Sequence, residues 1–200
     1  PEGLFLAILY CLGVRRGEAL GLKWGDFDFA ADQVHILRDI DFTGSTSSEG
    51  TLKTAAADRF IPVPAVLKEM LLPRRESADA YVFHTPSGAP LPQASYKRMW
   101  SRLMLECGCV EWRELKPGTS RPDDILKQVK PTLTPHYFRH NYVTLLYESG
   151  IDPLIAMKIV GHTDYQTTAN IYTHLKEDTL RRASVNMEKV FAKRSEQDAQ

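Results

Sequence analysis

The 200-residue sequence has no charge of one sign to spare, because 25 Lys and Arg offset 25 Asp and Glu. A protein that coats nucleic acid without regard to sequence normally carries a basic excess, so the balance argues against that class. Cysteine is scarce as well. Cys11, Cys107 and Cys109 are an odd number and cannot form a closed disulfide framework, and Cys107-Gly-Cys109 is one residue short of the usual CxxC of metal and redox centres. Reduced thiols are expected. The longest apolar run, residues 4–12, is roughly half of what spans a bilayer and predicts a buried helix instead. No charged segment followed by a cleavage site opens the chain, so no export signal is read. Internal repeats and low-complexity tracts are missing too. What remains is ordinary globular composition, 43% hydrophobic and 25% charged. It excludes a disordered chain, a peptide or a disulfide mini-protein, and leaves room for one substantial domain or two small ones with a real core. Pro1 in place of a methionine suggests a piece of a longer protein.

Periodicity predicts an α+β chain, mainly α-helical with a small three-stranded antiparallel sheet. Helices are expected over residues 4–12 and 14–20, the second carrying its apolar spacing on to Leu22 and Trp24. Strands are expected over residues 33–40, 52–54 and 59–64, with a polar loop over 43–50 and a turn over 55–58. Helices follow at 66–72 and 93–107, with a brief extended piece at 81–84 between them. Residues 111–132 have no convincing period and predict a surface loop with a short helix. Thr134-Pro135 starts a helix that stops at Gly150, and Pro153 starts another that stops at Gly161. Residues 167–174 are helical or turn-like, and 177–192 form a last amphipathic helix that faces Leu180, Ala183, Met187, Val190 and Phe191 to one side.

Three separated segments carry chemistry. They are Gly13-Val14-Arg15-Arg16-Gly17-Glu18, Thr134-Pro135-His136-Tyr137-Phe138-Arg139-His140, and Gly161-His162 followed ten residues later by Tyr172. His136 and Arg139 are three apart, so on a helix they share a face and can address one anion. Each motif alone is common by chance. Together and in this order they resemble the tyrosine recombinases, or phage integrase family, whose signature is G-x-R-x-x-E/D, H-x-x-R, G-H and then a tyrosine. The resemblance runs from Gly13 to Tyr172 and includes Lys53 in Leu52-Lys53-Thr54.

The resemblance implies the catalytic-domain fold of that family and metal-free phosphoryl transfer in DNA, with no cofactor. Tyr172 would attack the scissile phosphate and leave a 3′-phosphotyrosine and a free 5′-hydroxyl. Arg15 and Arg139 would grip the non-bridging oxygens, where guanidinium forks suit phosphate. Lys53 would protonate the departing 5′-oxygen. His136 would take the tyrosine proton or bind phosphate, His162 would donate to a phosphate oxygen, and Glu18 would orient an arginine. The implied partners are a double-stranded recombination site, a homo-tetramer assembled on DNA through the C-terminal segment at 177–200, and an accessory excisionase or DNA-bending protein, with no membrane. The implied location is the cytoplasm of a bacterial or phage-infected cell, at the nucleoid. Residues 1–200 would be the catalytic domain alone, without the N-terminal core-binding and arm-binding domains, and so would bind DNA weakly. Integrases of temperate phages or conjugative transposons fit best; an Xer-like chromosome-dimer resolvase and a non-catalytic DNA-binding relative are the alternatives.

The resemblance implies DNA binding through a concave basic face, and the zero net charge then requires the acids to lie elsewhere. Arg16, Arg59, Lys97 and Arg98 are expected DNA contacts, together with Arg102, while Glu177, Asp178 and Glu196 fall on the far side or tail. Tyr165 is a rival nucleophile only three residues after His162. His136 and His140 have metal-ligand spacing, but no glutamate stands between them and Arg139 would repel a cation, so no metal site is expected. Tyr137, Phe138, Tyr142 and Tyr147 are expected in the core.

Overall fold

The computed structural model describes residues 2–43, 46–50, 58–113, 125, 126 and 128–161. Helix α1 (Glu2–Leu12) runs through the core because Leu4, Phe5, Ile8, Leu9 and Leu12 recur at helical spacing and are all buried. Phe5 meets Phe83, Tyr96 and Trp100 edge to face, with ring centroids 5.1, 5.9 and 6.3 Å away. The helix stops at Gly13, whose φ of +59° suits glycine. A side chain there would also strike the Tyr142 ring at 2.2 Å. Helix α2 (Arg16–Gly21) follows immediately and packs on the next sheet so closely that a Cβ on Gly17 would stand 2.8 Å from the Ile40 carbonyl. It ends earlier than the apolar spacing suggested, and Trp24–Asp26 form a separate 3₁₀ turn.

Strands β1 (Phe27–Asp28), β2 (Gln33–Ile36) and β5 (Arg59–Pro62) make the three-stranded antiparallel sheet, in the order β1-β2-β5. Its membership differs from the expectation. The strand expected over 33–40 is two strands, β2 and β3 (Asp39–Thr43), broken where Arg38 forks onto the buried Asp26 carboxylate at 2.8 and 3.0 Å. The supposed polar loop at 43–50 contains β4 (Thr46–Gly50), paired with β3 from Asp39 opposite Gly50 to Thr43 opposite Thr46. The strand expected at 52–54 and most of the turn after it lie outside the described residues.

Helices α3 (Ala65–Leu71) and α4 (Gln93–Glu106) stand where periodicity puts them. Residues expected as loop instead supply β6 (Val110–Trp112) and β7 (Val129–Pro131), antiparallel partners whose pairing joins residues about twenty apart. Helix α5 (Pro135–Glu148) begins with proline in its first turn. Helix α6 (Pro153–Val160) is capped by Asp152, whose carboxylate accepts from the N–H of Leu154 at 2.8 Å, and it ends at Gly161 with φ +73°. Tyr142 is buried and Phe138 and Tyr147 are half-buried against the core, but Tyr137 is exposed. It sits on the solvent side of α5 because neighbours in a helix point about 100° apart. Among the described residues no helix is long and apolar enough to cross a membrane.

Candidate functional site

The site grows from the junction of α1 and α2. Arg15 precedes the first turn of α2 and Glu18 occupies its third position, so the Glu18 carboxylate accepts the Arg15 backbone N–H at 2.7 Å and the Arg15 Nη1 at 2.8 Å. Glu18 is about 1% exposed, yet its carboxyl is held below the usual range. Burial alone would raise it; hydrogen bonds and charge from Arg59, the Arg15 N–H and the charge of Arg139 outweigh that. Arg139 comes from α5 and lies 3.9 Å from Glu18. It is 2% exposed and donates to the Gly13 carbonyl at 3.0 Å and the Val160 carbonyl at 2.6 Å. Burial first, and then the Arg15 guanidinium, pushes its pKa down to about 9, which still leaves it charged at neutral pH.

Arg15, Arg139 and His136 open on one cleft of about 570 Å³, floored by Tyr96 and Trp100 and bordered by Pro131 and Thr134. Burial lowers the His136 pKa, helped by the charges of His140, Arg139 and Arg15. Its imidazole is therefore held neutral at pH 7 and has a lone pair to accept a proton. A folded-state pKa below the unfolded value means that the unfolded chain binds the proton more readily. Stability conferred by neutral His136 is thus present above about pH 6.5 and declines as pH falls toward the lower folded value. Urea titrations between pH 7 and pH 5 are expected to show a steeper loss for wild type than for His136→Asn; equal slopes would contradict a depressed His136. The His136 and His140 rings meet edge to face at 4.5 Å. No cluster of three His, Cys, Asp or Glu side chains suited to a metal is found among the described residues.

The expected basic face is divided. Arg16 is exposed at the cleft, its guanidinium over the Phe42 and Tyr96 rings at 4.8 and 5.6 Å. Lys97 and Arg98 are exposed on α4. Tyr96 and Trp100 of that helix face the Arg15 cleft, whereas Arg98 and Arg102 line a different one with Glu2, Phe83 and Met99. The acids are not all elsewhere either, since Asp39 and Asp41 line the Arg15 cleft. Arg59 corrects the expectation most sharply. It is buried rather than facing DNA, and grips both Glu18 oxygens at 3.0 and 2.9 Å and the Ile159 carbonyl at 2.8 Å. Alternation could have found it, because residues 59 and 61 share a strand face and Ile61 is core while Phe60 is 55% exposed. Lys53, His162 and Tyr172, with Tyr165 and the C-terminal residues 177–200, lie outside the described residues; Gly161, directly before His162, is described and accepts from Arg15 Nη2 at 3.2 Å.

Comparison with known proteins gives a consistent likeness. The phage integrase family profile matches residues 2–179. A tyrosine recombinase XerC-like protein of Caldanaerobacter subterraneus subsp. tengcongensis is 26% identical over 199 residues, covering 87% of this chain and 45% of that protein. The integrase of Staphylococcus phage L54a is 26% identical, covering 89% and 49%, and tyrosine recombinase XerD of Halalkalibacterium halodurans is 29% identical, covering 88% and 50%. The chain thus spans about half the length of these relatives. In fold, the integrase of transposon Tn1549, solved in complex with circular intermediate DNA, superposes with TM-score 0.64 at 24% identity, over 94% of this chain and 59% of that one. XerA recombinase gives 0.57 at 21%, over 93% and 56%.

Proposed function

Because this chain belongs to the phage integrase family, we propose that it is the catalytic domain of a site-specific DNA recombinase that cuts and rejoins strands through a 3′-phosphotyrosine. One observation carries the reading beyond the family: Arg15, Arg139 and a neutral His136 share a cleft, and the chain that leaves α6 leads straight into Gly161-His162 and on to Tyr172.

Tyrosine with an ordinary pKa near 10 is a poor nucleophile at neutral pH unless a base takes its proton and cations stabilise the charge that develops. His136 supplies the base, and Arg15 and Arg139 supply guanidiniums for the two non-bridging oxygens, each such preorganised donor lowering the barrier by about 3–4 kcal/mol. Tyr172 Oη bonds to phosphorus as the bond to the 5′-oxygen breaks. Lys53 gives that leaving oxygen a proton, and His162 donates to a phosphate oxygen. The phosphodiester energy is kept in the phosphotyrosine, so rejoining by a 5′-hydroxyl needs no ATP. Arg16 and Lys97 are the surface cations suited to flanking phosphates. Double-stranded DNA is the partner, in a homo-tetramer tied through the C-terminal segment, with an excisionase or DNA-bending protein as accessory; the location is the bacterial or phage-infected cytoplasm.

An Xer-like chromosome-dimer resolvase is a second reading of the same chemistry, raised by relatives that are named as Xer tyrosine recombinases. Recombination assays that use a chromosomal site and an element-end site as alternative substrates separate the two. The chemistry itself is tested on full-length protein with a nicked suicide substrate carrying the cognate core site. An adduct resolved on a denaturing gel is expected; a full-length protein that makes none contradicts the reading and favours a non-catalytic DNA-binding relative. Lys53→Ala is expected to slow cleavage about 100-fold or more with a normal 5′-oxygen, and far less with a 5′-thio leaving group that hardly needs protonation. Equal slowing on both would remove Lys53 from the acid role.

A further inference from the structure

Three successive carbonyls close α6, and each accepts from a different arginine. Arg59 Nε donates to Ile159 at 2.8 Å, Arg139 Nη2 to Val160 at 2.6 Å, and Arg15 Nη2 to Gly161 at 3.2 Å. The last carbonyls of a helix lack intrahelical partners and carry the negative end of its dipole, so cations are favoured there. The same three guanidiniums surround the Glu18 carboxylate; Arg59 grips both of its oxygens through Nη1 and Nη2, and Arg15 reaches them through Nη1 and its backbone N–H. Arg15 and Arg139 line the cleft; Arg59 and Glu18 are not among the residues that do.

The geometry points to Arg59 as a positioning residue that acts from behind the cleft, fastening Glu18 to the end of α6 and so setting where Arg15, Arg139 and the backbone entering His162 stand. The effect of Arg59 on rate rests on the recombinase reading, and its effect on the arginines on geometry alone. Strand β5 delivers the side chain because residue 59 points to the buried face, opposite Ile36 of β2. The bond pattern demands a fork. Two guanidinium nitrogens bond the carboxylate while Nε reaches a carbonyl on another element, which a single ammonium cannot reproduce.

Full-length Arg59→Lys tests this with binding, cleavage and spectroscopy on one variant. With DNA at saturation, single-turnover adduct formation is expected to fall about 10–100-fold, the range seen when a group supporting a site residue is lost. DNA affinity and the slope of its logarithm against log salt should stay at wild-type values, and the Arg15 and Arg139 guanidinium resonances in nitrogen-15 spectra should shift. Weaker binding with a slope reduced by about one would make Arg59 a phosphate contact and overturn the proposal. A lower melting temperature with an unchanged saturated rate and unmoved Arg15 and Arg139 resonances would reduce Arg59 to packing and overturn it as well. If wild type forms no adduct, the recombinase reading fails and the guanidinium resonances still decide the positioning role. Should Arg59→Lys not fold, Arg59→Gln, which keeps an N–H for Ile159, goes through the same measurements and must give the same pattern.

Discussion

Tyr172→Phe is expected to abolish the covalent protein–DNA adduct, lowering its rate of formation by about 10⁴-fold or more, as removal of a nucleophile does when no other group can form the bond. The substitution removes one oxygen and keeps the ring, so fold and DNA affinity should be those of wild type. In the proposed mechanism phosphate binding depends on Arg15, Arg139 and the surface cations, none of which the substitution changes. The measurement is the suicide-substrate assay run side by side with a binding titration, and loss of adduct with intact binding is the expected pair. Adduct formation that survives in Tyr172→Phe and disappears in Tyr165→Phe would move the nucleophile seven residues toward His162. Survival in both would end the phosphotyrosine reading.

The second large effect is on stability. Glu18→Ala is expected to destabilise the folded chain by about 3–5 kcal/mol, because it leaves the nearly buried Arg59 and Arg139 guanidiniums, 5% and 2% exposed, without their carboxylate. For a domain of this size that is a fall in melting temperature of about 6–20 °C. Glu18→Gln should cost less, since an amide oxygen still accepts one arginine donor, but it must place its NH₂ among cations. The acid limb of stability carries a separate signature. Glu18 has its carboxyl lowered in the folded state, so its contribution is complete above the unfolded carboxylate range near pH 4.5 and is lost as pH falls through the folded value. Both variants should therefore lose less stability than wild type on acidification below pH 4.5. A melting temperature for Glu18→Ala within about 2 °C of wild type would show that the buried arginines find other partners and that Glu18 is not their counter-charge.

Much of this centre was legible because its signals are local. A proline after Asp152 and a glycine at 161 bound α6 whatever it packs against, since one removes a donor that a helix start does not need and the other takes the left-handed turn that ends it. The three-residue spacing of Arg15 and Glu18 likewise makes their contact a property of one helical turn. Strands were harder. Residues 46–50 are Thr, Ser, Ser, Glu and Gly, with no apolar alternation to announce them, yet they pair with β3 because backbone hydrogen bonds do not depend on side-chain polarity. The pairing of β6 with β7 spans a segment whose composition reads as loop, and only chain closure brings its ends together.

Motif order carried the resemblance to the tyrosine recombinases without any coordinates, and phosphoryl transfer through a tyrosine is what that resemblance implies. The zero net charge led to the expectation that the acids lie away from a DNA-binding face, and there the tertiary structure decided otherwise. Asp39 and Asp41 border the cleft, Arg98 and Arg102 turn to a different one, and Arg59 spends its charge inside on Glu18. A sequence carries the charges and their spacing along the chain. Which of them meet, and which face water, depends on how β5 and α6 close over α2, and burial there makes an arginine a brace for Glu18 where exposure would have made it a phosphate contact.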